Sequence, residues 1–282
     1  LTQFSVQVRF VGTTPTAAQQ AIVQRAVDKW RSVLVSNSGT SFVTRAAGSC
    51  GRSFMPAISE SITNLLIIAS IDSIDGVGNV LGNGSACTVH ASSGLTSVGT
   101  ILFDAADLNA PSEAALIDAV VTHEIGHVLG FGTLWSLKGV ASGLGGSDPI
   151  FTGATALTEF AALNSGYSGR PVPIENCVGI SGCGAGTRDS HWRELVFRSE
   201  LMTGYVNNGA NPLSRVTVAS MADLGYAVSY VGADPYTLFS SLLFPGPTSI
   251  QQIHLGDDVV DTDIYSFDKQ GNRKLVRKKG AN

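Results

Sequence analysis

Leu116-Ile117-Asp118-Ala119-Val120-Val121-Thr122-His123-Glu124-Ile125-Gly126-His127-Val128-Leu129-Gly130 reads as a helix that is apolar almost all round. Leu116, Ile117, Val120, Val121, Ile125, Val128 and Leu129 leave little face for water, and such a helix belongs in the middle of a protein. Pro111-Ser112-Glu113 offers a start, with a hydroxyl for capping and an acid in the first turn. Gly130 offers an end, where the chain can turn left-handed without a side chain in the way. Two imidazoles and a carboxylate in so apolar a helix carry a serious desolvation cost unless something binds them.

The spacing says what could bind. Residues four apart on a helix lie about 40° round from one another and roughly 6 Å along the axis, so His123 and His127 can meet one tetrahedral Zn2+ from a single face. Glu124 is rotated by about 100° from His123, beside the metal without ligating it. It can hold a water acidified by the metal, take its proton as it attacks a peptide carbonyl, and pass that proton to the leaving amine.

Two histidines do not complete a site. The extended form HExxHxxGxxH would put the third at position 133, which is Thr133. A glutamate from a following helix is another route, with Glu159 as a candidate. The remaining histidines are His90, His254 and His191, the last in Gly184-Ala185-Gly186-Thr187-Arg188-Asp189-Ser190-His191-Trp192.

Here the chain resembles the leishmanolysin family of metzincin metallopeptidases. The matching pieces are His123-Glu124-Ile125-Gly126-His127-Val128-Leu129-Gly130-Phe131-Gly132, Ser190-His191-Trp192, Glu200-Leu201-Met202 and Met221-Ala222-Asp223-Leu224-Gly225-Tyr226. The resemblance covers about residues 64–230; the last 40 or so residues match nothing recognisable. The resemblance implies His191 as the delayed third ligand, Met202 as a methionine-turn floor beneath the imidazoles, and Gly130 as the turn that redirects the chain below the metal. It also implies an α+β fold of two lobes flanking a zinc cleft. Residues 1–132 would be an N-terminal lobe with a twisted mixed sheet and two long helices, and 133–240 an irregular C-terminal lobe. Residues 241–282 would be an extension.

The rest of the chain frames that centre. Phe4, Val6, Val8 and Phe10 alternate as a strand, and Thr14-Pro15 opens a helix ended by Asn37 and Gly39. Residues 40–62 read as irregular. Leu65–Ile71 and Val98–Phe103 read as strands, the first able to pair with an extended substrate as an edge strand would. Residues 139–190 read as long ordered loops, 214–224 as a short helix and 236–244 as a short amphipathic stretch. Asp72, Asp75 and Asp104, in or near an Asp- and Gly-rich loop, are candidate Ca2+ ligands, although Asx turns use the same residues with no ion.

Composition narrows the function classes. The chain has 282 residues, 44% hydrophobic and 14% charged, enough for a large core. No apolar run approaches the roughly 20 residues of a membrane span, and no lipid-anchor signal or propeptide is visible. Residues 269–282 carry six of the 18 basic residues and no acid, leaving 12 basic against 22 acidic, a formal −10. An acidic body excludes nucleic acid as a main partner, and the basic tail reads as a solvated, mobile terminus. Cys50, Cys87, Cys177 and Cys183 allow three pairings. The short Gly-rich link favours Cys177–Cys183, leaving Cys50–Cys87, and an even count suits an oxidising compartment.

These readings add up to a secreted, monomeric zinc endopeptidase acting on proteins or peptides. The competing class is a zinc-containing binding or adhesion module, which needs a fourth protein ligand that the sequence does not visibly provide. A non-haem iron enzyme would want a carboxylate ligand beside two histidines.

Overall fold

The computed structural model describes residues 4–78, 80–108, 114–180, 183–207, 209–238 and 252–281. The helix start proposed at Pro111-Ser112-Glu113 lies outside the described residues, as does most of the 236–244 stretch.

Strand β1 (Val6–Gly12) leads into helix α1 (Ala17–Val33). The cap is Thr16, two residues later than Thr14: its Oγ1 accepts the Gln19 N–H at 3.2 Å while Gln19 Oε1 accepts the Thr16 N–H at 2.8 Å. The helix stops at Val33, short of Asn37, because Leu34 enters an antiparallel bridge with Val228. Residues 40–62 are not irregular throughout. They hold the antiparallel pair β2 (Thr40–Arg45) and β3 (Ile58–Thr63), which bury Val43, Ile58 and Ile62.

Strands β4 (Leu65–Asp72), β5 (Gly82–His90) and β6 (Thr96–Asp104) follow, then α2 (Ala105–Leu108) and the long α3 (Ala114–Leu129). Period-two side chains of β4 feed two cores. Leu65, Ile67 and Ile71 pack towards the helices, whereas Leu66 and Ile68 pack with the β2–β3 pair. A strand buried on both faces has no polar side, hence its unbroken apolar run. Strand β5 did not stand out because its residues are small. A Cβ on Gly84 would meet the Glu124 carbonyl oxygen at 2.6 Å, so its bareness lets α3 lie close to the sheet.

After α3 come α4 (Trp135–Lys138), β7 (Ala141–Ser142), β8 (Ile150–Phe151), α5 (Ala154–Leu163), β9 (Val172–Pro173), α6 (Glu194–Phe197), β10 (Tyr205–Asn207) and α7 (Arg215–Leu224). The expectation of loops alone over 139–190 misses α5. That helix has no capping side chain of its own; Asp223 of α7 accepts the N–H groups of Thr155 and Ala156 at 2.9 and 2.8 Å.

The chain closes with β11 (Gln252–His254), β12 (Ile264–Phe267) and β13 (Arg273–Arg277). The six-stranded mixed sheet has the order β1-β4-β6-β5-β12-β13. The basic C-terminus is therefore not a loose tail. Tyr265–Phe267 pairs parallel with Thr88–His90, and Arg277 donates to the Thr133 carbonyl at 2.6 Å and pairs with Asp261 at 2.9 Å. Nor is β4 an edge strand, since it lies between β1 and β6.

Candidate metal centre

Helix α3 is anchored against α1 by Trp30, whose indole N–H donates to the Thr122 carbonyl at 2.7 Å. This presents His123 and His127 on one buried face. His191 reaches them from a loop held at both ends. Its carbonyl accepts the Glu175 N–H at 2.9 Å, and the next residue, Trp192, donates its backbone N–H to Met202 O at 3.0 Å. The Trp192 ring is wholly buried, 5.3 Å from Trp135 and 5.5 Å from Phe197, with its indole N–H on Thr217 Oγ1 at 2.8 Å. Gly132, at φ +71°, lets the Ser190 backbone pass directly against the turn after α3; any side chain there would overlap it.

All three imidazoles spend Nδ1 on a backbone carbonyl. His123 Nδ1 faces Leu201 O at 2.7 Å, His127 Nδ1 faces Phe131 O at 2.9 Å, and His191 Nδ1 faces Thr187 O at 2.8 Å. Carbonyls only accept, so in each neutral ring the proton sits on Nδ1 and the lone pair on Nε2. The three Nε2 atoms then converge at 2.8 to 3.0 Å from one another with no proton to share. Three lone pairs aimed at one point repel unless a cation sits among them. The donor chemistry fits a zinc-type ion, and the carbonyl partners are those that orient ligating imidazoles.

A fourth group enters from beyond the recognised motifs. Asp258 Oδ2 lies 2.9 Å from His191 Nε2, 3.2 Å from His123 Nε2 and 3.8 Å from His127 Nε2. All four residues are fully buried. Burial alone would raise the Asp258 carboxyl; the imidazoles override it and hold the group far below the usual carboxylate range. Burial lowers His123 against the pull of Asp258, and burial together with the neighbouring imidazoles holds His127 well below the usual histidine value. Burial works the same way on His191, but the Asp258 charge outweighs it and raises that ring. Nothing in Gly256-Asp257-Asp258-Val259 marked it as part of a site; a buried acid far along the chain has no sequence signature.

Glu124 stands beside the cluster, fully buried, with neither carboxylate oxygen in a well-aligned hydrogen bond. Burial and then the Asp258 charge push it well above the ordinary glutamate value, against the pull of Arg52 and the nearby Gly84 N–H. Arg52 donates to Asn83 O at 3.2 Å and is itself lowered to about 10 by burial.

Met202 is fully buried under α3, its Sδ and Cε 2.8 Å from where a Cβ on Gly126 would stand. Gly130 turns at φ +119° with its N–H on His127 O at 3.2 Å. Thr133 donates its hydroxyl to the same carbonyl at 2.7 Å. Glu159 is elsewhere, paired twice at 2.7 Å with Arg215. His90 is a core histidine between Ser41 Oγ and Asn64 O, and His254 faces Thr187 Oγ1 at 3.2 Å. Cys50–Cys87 and Cys177–Cys183 are both bonded.

The acidic loop behaves as turns. Asp104 Oδ2 accepts the N–H groups of Ile74, Asp75 and Gly76, Asp72 accepts that of Ser73, and Asp75 that of Val80. Asp72, Asp75 and Asp104 do not gather as a ligand set among the described residues.

No helix is long and apolar enough to cross a membrane, among the described residues. No curated protein matches the chain significantly. The family model for leishmanolysin peptidases, however, matches residues 22–237, which include α3, His191 and the Met202 turn and stop short of Asp258. With that match over most of its length and a buried three-histidine cluster at its centre, the chain belongs to the leishmanolysin family of metallopeptidases.

Proposed function

We propose that the protein is a secreted, monomeric zinc endopeptidase of the metzincin type. His123, His127 and His191 hold the ion through Nε2, Glu124 is the general base, Met202 is the floor and Gly130 the redirecting turn. In this reading residues 1–132 and 133–240 are the two lobes flanking the site, and 241–282 an extension. The observation that carries it is the convergence of three Nε2 atoms, from rings whose Nδ1 atoms face backbone carbonyls, beside a buried carboxylate with no well-aligned partner. Two disulfides support an oxidising, extracellular setting.

Zinc, when bound, supplies Lewis acidity towards water and the scissile carbonyl. The chain does the rest. Glu124, on the turn of α3 beside His123, takes the proton of the attacking water on a carboxylate oxygen. It then delivers that proton to the amide nitrogen as it leaves. Met202 and Trp30 flank Gly126 and keep α3 from shifting under the histidines.

The test measures bound zinc and casein cleavage for wild type, Glu124→Gln and His191→Ala. Glu124→Gln is expected to keep one zinc and lose activity by about 10²–10⁴-fold, the usual size of acid–base assistance. Full activity in that variant, or unchanged zinc affinity in His191→Ala, would remove the mechanism.

Asp258 favours a second reading, a structural zinc closed by four protein ligands in a binding module. Such a site has no use for Glu124. Stoichiometric zinc with no casein cleavage, even after Asp258 is replaced, would select it.

A further inference from the structure

Residues 255–260 lie outside the family match, yet they thread the metal centre. Leu255 is fully buried with Leu81, Val120 and Val206, and its N–H donates to Gly204 O at 3.1 Å. Thr187 Oγ1 donates to Gly256 O at 2.7 Å, and the Gly186 N–H to Asp257 Oδ1 at 3.0 Å. The next residues run along β5: the Gly84 N–H donates to Asp258 O at 2.9 Å, Gly84 bridges Val259 in parallel, and Ser85 Oγ donates to Val260 O at 2.7 Å. The other edge of β5 is occupied by β6. The strand closest to α3's Glu124 therefore has both edges filled by the chain itself.

We propose, on the peptidase reading above, that residues 255–260 are a built-in inhibitor. The Asp258 carboxylate takes the fourth position around the metal, and the backbone of 258–260 takes the edge of β5 that an extended peptide substrate would use. Hydrolysis then requires this segment to leave.

The segment blocks without being cut. The Asp258 carbonyl is turned to the Gly84 N–H, so a side-chain carboxylate, not a peptide carbonyl, faces the three imidazoles. Glu124 has no scissile bond in front of it. The arrangement is also costly to itself: Asp258 Oδ1 and both Glu124 oxygens are buried without well-aligned partners. No disulfide ties the segment down, both bridges lying elsewhere. The fit is close all the same. A Cβ on Gly186 would come within 2.7 Å of Asp257 Cα, against backbone that cannot yield without moving the segment.

Two full-length, zinc-loaded variants test this beside wild type: Asp258→Ala, which removes the ligand, and Gly186→Ala, which evicts the segment without touching a proposed zinc ligand. Acetohydroxamate affinity by calorimetry, the rate of zinc loss to a chelator, and casein cleavage are measured on each, with circular dichroism confirming the fold. Both variants are expected to bind acetohydroxamate about tenfold or more tightly than wild type, because the open state no longer competes with the segment. Both should also shed zinc faster and cleave casein faster. Folded variants with wild-type acetohydroxamate affinity and wild-type zinc loss overturn the inhibitor. Variants that gain acetohydroxamate affinity and shed zinc faster yet cleave nothing overturn the peptidase reading, and the inhibitory role with it, while Asp258 stands as a ligand. Should Asp258→Ala fail to fold, Gly186→Ala decides alone.

Discussion

The Glu200 carboxylate accepts the backbone N–H of Met202 at 2.6 Å, tying the turn beneath the histidines to a buried acid two residues earlier. The same carboxylate accepts the Ser214 N–H and hydroxyl and the Thr217 hydroxyl, at 3.0, 2.7 and 2.5 Å. One side chain thus joins the Met202 turn to the start of α7, and the neighbouring Leu201 carbonyl holds His123 Nδ1. Glu200→Ala leaves these donors buried and unanswered, a loss of roughly 3 kcal/mol or more, with weaker zinc binding. Glu200→Gln keeps the shape and should lose about half as much. Urea unfolding and zinc titration check both; a change under 0.5 kcal/mol for the alanine variant would remove Glu200 as a tie.

Gly126 sits inside α3, where alanine would ordinarily stabilise by about 1 kcal/mol. Here a Cβ would meet Met202 Cε and Sδ at 2.8 Å and Trp30 Cζ2 at 2.9 Å. Met202 is fully buried and has nowhere to go. Overpacking of this kind costs about 1–3 kcal/mol, so the net effect of Gly126→Ala is destabilising. A raised melting temperature for this variant would show that the floor beneath α3 is looser than described.

Asp104 links stability to pH. Burial works to raise its pKa, but the N–H groups of Asp75, Ala106, Ile74 and Gly76 outweigh this and lower it. A carboxyl lowered on folding stabilises fully above its unfolded value of about 3.9, and the contribution drains away as pH falls through the folded value. Asp104→Asn should therefore lose roughly 1.5–3 kcal/mol at pH 6, the worth of hydrogen bonds to a charged group. The gap from wild type should narrow below pH about 4. Denaturant unfolding across that range reads it; a gap independent of pH would contradict the charge as its source.

The two disulfides should differ in weight. Cys50–Cys87 spans 37 residues and joins the loop after β2 to the middle strand β5, whereas Cys177–Cys183 spans 6. Chain-entropy scaling makes the first worth about 4 kcal/mol and the second about 2 kcal/mol. Double alanine replacement of each pair, followed by thermal unfolding, should reproduce that order. The reverse order would mean that strain or residual structure outweighs loop length.

The local chemistry of α3 was legible in the linear chain. An apolar helix, two histidines four apart, an acid between them and a glycine at the end follow from helical geometry and from the cost of burying charge, and the fold honours each. His191 was legible only through resemblance to a family, because nothing local says where a distant loop returns. What tertiary structure alone decided was how the edges close. Strand β5 was hidden by its glycines and small side chains, which exist to let α3 approach the sheet. The basic terminus, polar enough to pass for a loose tail, becomes strand β13 because β12, itself paired with β5, offers it unpaired backbone to bond with. Asp258 joins three histidines from more than sixty residues away in sequence, a placement that comes from strand pairing and leaves no periodicity or spacing to read.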